Sequence, residues 1–204
     1  MHSKLQTYIE SLLIEADLIP DQRKVKLRQL AQHIQQQREK EAIVQLNFIC
    51  THNSRRSHIA QIWTTTAAAY LDIQGIKIFS GGTEATAFNP RAVTAMRRAG
   101  FYILDGEGTN PHYQVSFSEE HAIIEAFSKT YDDPFNPSNN FAAIMTCSDA
   151  DENCPFIPGV NLRFALTYED PKVADGTAEE SARYDERVRQ IGRELFWMIQ
   201  QVAG

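Results

Sequence analysis

The segment IVQLNFICTHNSRRS, residues 43–57, restricts the fold more than any other part of the sequence. Residues 43–50 are largely apolar, β-branched and aromatic, and the run has the length of a buried strand. A polar loop follows, and residues 57–71 have a helical pattern that begins near Arg56 or Ser57. A strand, a short loop and a helix in this order predict a parallel sheet that helices cover.

The same order recurs later in the chain. IKIFSGG, 76–82, is a second strand with glycines at its end, and NPRAVTAMRRAG, 89–100, is a helix. In this helix Asn89 is the cap, Pro90 the first residue and Gly100 the end. Further strand candidates are FYIL, NFAAIMTC and NLRFALTY, and residues 179–202 form a closing helix. We therefore expect an α/β fold with an open parallel sheet of about four strands and helices on both faces.

The first forty residues have a different character. Between Ser3 and Lys40 there is no glycine and a single proline, Pro20, which predicts a helical hairpin. Its apolar stripes are Leu5, Tyr8, Ile9, Leu12 and Leu13 in one arm and Val25, Leu27, Leu30 and Ile34 in the other. Such stripes serve either a docked structural extension or an arm for dimerisation or a partner. We predict a helical extension over 1–42 and a catalytic domain over 43–204.

Composition excludes several classes of protein. The 204 residues are 43% hydrophobic, which is enough for a sizeable core, and the net charge of −6 without a Lys/Arg run argues against a nucleic-acid partner. No apolar run approaches the roughly 20 residues of a membrane-spanning helix, and the N-terminus lacks a signal-peptide pattern. We expect a cytoplasmic protein without a membrane partner. Three cysteines favour reactive or buried thiols over a disulfide framework.

Cys50 stands at the carboxyl end of the first predicted strand. In an open parallel sheet, ligands bind at this edge, and a loop that leads into a helix directs amides and the helix dipole at one spot. These features bind an oxyanion and favour a thiolate. Arg56 can pair with the anion through two parallel hydrogen bonds, Ser57 can donate to the sulfur, and Asn53 tolerates positive φ at the bend. The alternative is an inert buried thiol, but the context favours a nucleophile.

The loop CTHNSRRS resembles that of the low-molecular-weight protein tyrosine phosphatases and of the thioredoxin-coupled arsenate reductases. SGGTEATAFNPRAVTAMRRAG and CSDADENCP are similar to segments of the reductase branch, and the resemblance runs from Ile43 to the C-terminus. It implies a phosphatase-type phosphate loop after the first strand. The expected oxyanion-binding residues are Thr51, His52, Asn53, Ser54, Arg55 and Arg56.

Two loop positions depart from the family pattern. His52 stands where glycine is usual, so it either crowds the loop, adds a second cation or is an exposed neutral histidine. Arg55 replaces a small residue, and we expect it to face solvent or an acidic partner rather than the anion.

The other two cysteines, Cys147 and Cys154, distinguish the branches. Cys147 ends the predicted strand NFAAIMTC and should therefore emerge at the same sheet edge as Cys50. If SDADEN, 148–153, is helical, Cys147 and Cys154 lie roughly 10.5 Å apart along it, beyond the limit of about 7 Å for a disulfide. The segment must then unwind before they join. Incidental cysteines or half of a metal site are the alternatives.

A metal is not expected. No further His or Cys ligand lies near the pair, and Gln61 stands where potassium-binding relatives carry a glutamate. No cofactor is expected either.

The resemblance implies a thiol relay. Cys50 attacks arsenate, Cys147 attacks the Cys50 sulfur and arsenite leaves, and Cys154 then attacks Cys147 to give a disulfide that thioredoxin reduces. By the same resemblance Asp170, in YEDPKV, is the general acid; Asp133, in YDDPFN, is the other Asp-Pro candidate, and an ordinary turn is the alternative for both.

Three functions therefore stay open at this point. An arsenate reductase requires all three cysteines, whereas a phosphatase acting on phosphotyrosine or small phosphoesters requires Cys50, Arg56 and Asp170 alone. Lys172, where phosphatases favour an aromatic residue, speaks against aryl phosphoesters. The third function is a non-enzymatic oxyanion or phosphoprotein binding module or a redox sensor.

Overall fold

The computed structural model describes residues 1–40, 43–153 and 156–203. Its helices and strands, in chain order, are α1 (Ser3–Leu13), α2 (Asp21–Lys40), β1 (Val44–Cys50), α3 (Arg56–Tyr70), β2 (Ile76–Gly82), α4 (Pro90–Ala99), β3 (Tyr102–Leu104), β4 (Tyr113–Ser116), β5 (Ile124–Ala126), β6 (Phe141–Met145), α5 (Ser148–Asn153), β7 (Val160–Ala165) and α6 (Glu180–Ala203).

The main sheet has four parallel strands in the order β2-β1-β6-β7 and is flanked by helices. The predicted α/β fold is thus confirmed. The central strand β1 pairs with β2 so that Cys50 lies beside Gly82, and with β6 so that Ile49 lies beside Met145. Because the strands are parallel, the segments that follow β1, β2 and β6 all leave at one edge of the sheet.

Local signals placed α4 correctly. Asn89 Oδ1 accepts a hydrogen bond from the Arg91 amide at 2.9 Å, Pro90 is the first helical residue and Gly100 ends the helix with φ of +110°. These groups satisfy amides and carbonyls at the helix ends that have no partner inside the helix.

FYIL contains a strand, as predicted, but this strand does not belong to the parallel sheet. Tyr102–Leu104 is β3, which pairs antiparallel with β4, and β4 pairs antiparallel with β5 in a separate three-stranded sheet. The strands are three or four residues long. Such short runs carry little periodicity, and long-range pairing decided their place.

The N-terminal hairpin packs on α6. Its buried residues belong to the same hydrophobic core as the sheet, although Val25 of the expected stripe is half exposed. Between the helices, the Glu15 carboxylate pairs with Arg189 at 2.7 Å and Arg193 at 3.2 Å. The docked arrangement fits a structural extension, whereas the division into units 1–42 and 43–204 stays a prediction.

Among the described residues, no helix is long and apolar enough to cross a membrane.

Candidate active site

Cys50 is the last residue of β1 and is only 3% exposed. Its Sγ lies 3.1 Å from the hydroxyl oxygen of Ser57, in the first turn of α3. The loop 51–55 connects the two elements. The predicted pairing of thiol and hydroxyl is therefore present, at the carboxyl edge of the sheet.

The side chain of Asn53 fixes the direction of this hydrogen bond. Its φ is +43°, as predicted for the bend, and its Oδ1 accepts from the Lys129 amide at 3.0 Å. The amide nitrogen Nδ2 consequently faces Ser57 and donates to its Oγ at 2.8 Å. Since the Ser57 oxygen receives this hydrogen, its own single hydrogen is free for the Cys50 sulfur, which stabilises a thiolate.

The backbone of the loop is turned so that carbonyls face outward. The Thr83 and Glu84 amides donate to the carbonyls of Cys50 and Thr51, at 3.1 and 2.8 Å. The Ser128 hydroxyl donates to the His52 carbonyl at 2.8 Å, and the Asn89 amide donates to the Ser54 carbonyl at 2.8 Å. Within the described chain, the amides of residues 51–55 donate to no carbonyl or side chain. These amides are therefore available to bind an oxyanion above the sulfur.

Gly82, at the end of β2, lets the loop lie close to the sheet. A Cβ on this residue would stand 2.6 Å from the Asn53 nitrogen and 2.7 Å from the Thr51 oxygen. Both neighbours are backbone atoms that cannot move without changing the loop. A glycine is therefore required here.

The guanidinium of Arg56 is held by the segment after β7. Its NH2 nitrogen donates to Asp170 Oδ2 at 2.7 Å, and its NH1 nitrogen donates to the Tyr168 carbonyl at 3.0 Å. Asp170 Oδ1 accepts from the Lys172 amide at 3.0 Å and so caps a 3₁₀ turn, Pro171–Ala174. Asp133 instead accepts from the Phe135 amide at 2.9 Å, within its own turn.

Cys147 lies just after β6, beside the loop, and is 1% exposed. The hydroxyl of Thr51 is 3.4 Å from its Sγ and donates to Asp149 Oδ2 at 2.6 Å, and the Ala150 amide donates to the same sulfur at 3.3 Å. Cys50 and Cys147 belong to one small core cluster. Adjacent parallel strands have thus brought two thiols to one edge of the sheet.

SDADEN is helical: it forms α5, as the argument on cysteine spacing supposed. Cys154, the expected last thiol of the relay, lies outside the described residues.

Arg55 has acidic partners, one of the two surroundings expected for it. Its side chain is 11% exposed, with its NH2 nitrogen 3.7 Å from Asp175 and Nε 3.9 Å from Asp170. Nε also donates to the Tyr184 hydroxyl at 2.9 Å, and this hydroxyl donates to Asp175 at 2.8 Å. Burial raises the pKa of Tyr184 to about 12, so the phenol keeps its hydrogen. The Arg55 side chain therefore ties α3 to the segment that contains Asp170.

The remaining loop side chains have partners outside the loop. His52 is exposed, with its Nε2 3.6 Å from a Glu84 carboxylate oxygen, and Ser54 donates to the Ala87 carbonyl at 2.7 Å. His58 is fully buried behind the loop and its ring stacks on Phe88. Burial lowers the pKa of His58, so this imidazole is neutral and supports packing rather than an anion.

Gln61 donates to the Ile78 carbonyl at 3.2 Å. Among the described residues there is no cluster of three or more His, Cys, Asp or Glu side chains that could hold a metal ion.

Sequence reasoning missed three contributors. The Lys129 amide orients Asn53, the Tyr168 carbonyl holds Arg56, and Asp149 accepts from Thr51. Asp149 is the second residue after the predicted strand that contains Cys147, so its position was a usable signal. The other two act through backbone atoms, which leave no trace in residue type.

Similar proteins identify the family. The chain is 34% identical over 149 residues to an arsenate reductase of Bacillus licheniformis, a match that covers 72% of this chain and 89% of that protein. An arsenate reductase of Bacillus subtilis is also 34% identical, over 150 residues with the same coverage. No family model matches the chain.

A solved structure shows the fold. The low-molecular-weight phosphotyrosine phosphatase of Vibrio cholerae O395 superposes with a TM-score of 0.51 at 14% identity, covering 77% of this chain and 95% of the other. The polar loop between β1 and α3, with a thiol at its base, agrees with these similarities. The chain belongs to the arsenate reductase family and has the low-molecular-weight phosphatase fold.

Proposed function

We propose that the protein reduces arsenate to arsenite by a relay of three thiols. One observation carries the proposal: Cys50 and Cys147 lie at the same sheet edge, and Thr51, the first residue of the oxyanion loop, contacts the Cys147 sulfur at 3.4 Å. A phosphatase has no use for this second thiol. The resemblance of two relatives named arsenate reductase supports the same reaction.

In the first step the loop amides and Arg56 bind arsenate, and the Cys50 thiolate displaces hydroxide or water from arsenic. Asp170 accepts a hydrogen bond from the Arg56 guanidinium, and we assign it as the general acid that gives a proton to the leaving oxygen. Ser57 stabilises the Cys50 thiolate before attack and whenever Cys50 leaves.

In the second step the Cys147 thiolate attacks the Cys50 sulfur. A Cys50–Cys147 disulfide forms, the sulfur–arsenic bond breaks and its electron pair reduces As(V) to As(III), which leaves as arsenite. Cys154 then attacks Cys147, releasing the Cys50 thiolate. The resulting Cys147–Cys154 disulfide takes two electrons from an external dithiol.

The Cys147→Ser variant tests the relay. We expect it to lose arsenate reduction, measured as arsenate-dependent NADPH oxidation with thioredoxin and thioredoxin reductase, while it keeps whatever aryl phosphate hydrolysis the parent has. Cys154→Ser should complete about one turnover of arsenite per enzyme and then stop. Sustained reduction by either variant would rule out the relay.

A phosphatase is the second candidate, because Cys50, Ser57, Arg56 and Asp170 form a complete set for phosphoester hydrolysis without Cys147. Equal aryl phosphate hydrolysis by the parent and by Cys147→Ser, with no arsenate turnover in either, would favour it. Phosphate binding without turnover of either substrate would instead indicate a binding module.

We further propose thioredoxin as the reductant and the cytoplasm as the location, since the relay begins with free thiols and that compartment keeps thiols reduced. A homodimer through the N-terminal helices also stays a prediction. Leu27, Leu30 and Ile34 are buried within the chain, so a dimer would have to use other faces of the hairpin.

A further inference from the structure

The second helix of the N-terminal hairpin reaches the active site through Arg23. In α2 this arginine donates from Nε to Glu194 Oε2 of α6 at 2.7 Å. The Glu194 side chain is 2% exposed, and its other oxygen accepts from Gln190 at 3.0 Å. Since a buried carboxylate requires a partner, this ion pair fixes where the Arg23 guanidinium lies.

The same guanidinium lies over the ring of Tyr168, with its central carbon 4.6 Å from the ring centre. Tyr168 is 5% exposed. Its ring therefore has a cation–π contact with Arg23, while its backbone carbonyl accepts a hydrogen bond from Arg56. Arg23 and Arg56 thus contact the same residue from the hairpin and from the active site.

The segment that contains Tyr168 has no regular secondary structure: residues 166–170 lie between β7 and the 3₁₀ turn. Its backbone is attached to the end of β6, because the Leu166 and Tyr168 amides donate to the Met145 and Thr146 carbonyls at 2.9 and 3.0 Å. The side-chain contacts of Tyr168 act in addition to these bonds. Two residues beyond Tyr168, Asp170 makes the second hydrogen bond to Arg56. A shift of Tyr168 would move both acceptors of the Arg56 guanidinium at once.

We infer that Arg23 is a positioning residue for the Arg56–Asp170 pair, acting through Tyr168, so that the N-terminal hairpin completes the oxyanion site. The inference rests on the proposed function, in which Arg56 binds the oxyanion. It gives residues 1–40, which the resemblance leaves outside the catalytic domain, a role in binding and turnover.

The test compares two arginines of the same helix. Arg28, like Arg23, has a cation–π contact: its central guanidinium carbon lies 5.3 Å from the ring centre of Trp197 in α6. Trp197, unlike Tyr168, makes no hydrogen bond with Arg56 among the described residues. Arg23→Met and Arg28→Met therefore remove the same charge and the same kind of contact. Glu15→Gln is a second control, since it weakens the attachment of the hairpin at Arg189 and Arg193.

Because Arg23→Met leaves the buried Glu194 charge unpaired, the double variant Arg23→Met/Glu194→Gln is measured beside it. Arg23→Lys restores the ion pair without the planar guanidinium, so it should recover only part of the effect. Isothermal titration with inorganic phosphate gives the dissociation constant, and steady-state arsenate reduction gives kcat and KM, both well below each variant's melting temperature.

We expect the dissociation constant for phosphate to rise about tenfold in Arg23→Met and in the double variant, with a similar fall in kcat/KM, as for partial loss of one charge-assisted hydrogen bond. Arg28→Met and Glu15→Gln should lose stability at most. If the double variant binds phosphate with the parental affinity, or if Arg28→Met loses as much phosphate affinity as Arg23→Met, the inference is wrong while the proposed function stands. A parent chain that binds no phosphate would overturn the proposed function together with it.

Discussion

Asn53→Asp isolates the hydrogen bond that the structure directs at the nucleophile. The change keeps the size of the side chain, its tolerance for φ of +43° and the oxygen that accepts from the Lys129 amide. It replaces the Nδ2 donor to Ser57 with a carboxylate oxygen. The single hydrogen of the Ser57 hydroxyl then goes to that carboxylate and is withdrawn from the Cys50 sulfur.

The size of the effect follows from the charge on the acceptor. A hydrogen bond to an ionised group contributes about 1.5–3 kcal/mol, which corresponds to a factor of roughly 10 to 150 in the equilibrium between thiol and thiolate. The rate of alkylation follows the thiolate fraction, which changes by that full factor where the thiol form predominates. We therefore expect Cys50 to react with iodoacetamide more slowly in the variant, by up to roughly 150-fold, with little change in melting temperature.

The assay uses a Cys147→Ser/Cys154→Ser background, in which Cys50 is the one remaining thiol. Ser57→Ala should slow alkylation by a similar factor, and Asn53→Asp should add little to Ser57→Ala, because both remove the same hydrogen bond. Alkylation of Asn53→Asp at the parental rate would refute the assigned direction of the bond. So would an equally large slowing of alkylation when Asn53→Asp is added to Ser57→Ala, which has no hydroxyl.

Two further predictions concern the support of the loop. Gly82→Ala should abolish the rise in melting temperature that phosphate gives the parent, because the added Cβ meets backbone atoms of Asn53 and Thr51; a preserved phosphate-dependent rise in a thermal-shift assay would contradict this. Burial lowers the pKa of Lys129 to about 8, against 10.5 for an ordinary lysine, with Asp133 and Glu125 opposing the shift. The unfolded chain then binds more protons than the native one between these values, so stability contributed by this residue rises with pH, by about 1–2 kcal/mol from pH 7.5 to 9.5. Urea unfolding at both pH values should show a smaller rise, or a larger fall, for Lys129→Met than for the parent, and identical differences would disprove the effect.

Local sequence signals were sufficient for much of the fold. β2 has the predicted bounds, β1 and α3 differ from the prediction by one residue at the ends, and α4 has the predicted cap and ending glycine. Each of these depends on neighbours within a few residues, where periodicity and capping chemistry act. The second sheet was missed because strands as short as β3 to β5 show no clear period and are defined by their partners.

For the side chains of the loop, too, local features could be predicted and contacts with distant residues could not. Asn53 and Ser57 lie where residue type and spacing predict, since a bend and a helix start are local features. The partners of Arg55 could be anticipated only as acidic, because Tyr184 and Asp175 are more than one hundred residues away. The contact between Arg23 and Tyr168 has no sequence signal at all, since it joins two residues 145 positions apart.

The sequence by itself determined that a thiol stands at the end of a buried strand, before a polar loop and a helix, because hydrophobic period, chain direction and helix-start chemistry are written in adjacent residues. The sequence also predicted the sheet edge at which Cys147 emerges. Tertiary structure alone decided that β6 would be the neighbour of β1, that a lysine amide would orient Asn53, and that the N-terminal hairpin would contact the segment holding Arg56. These contacts depend on strand order and on helix packing. Both result from many weak contacts between residues far apart in the chain, so no single position in the sequence encodes them.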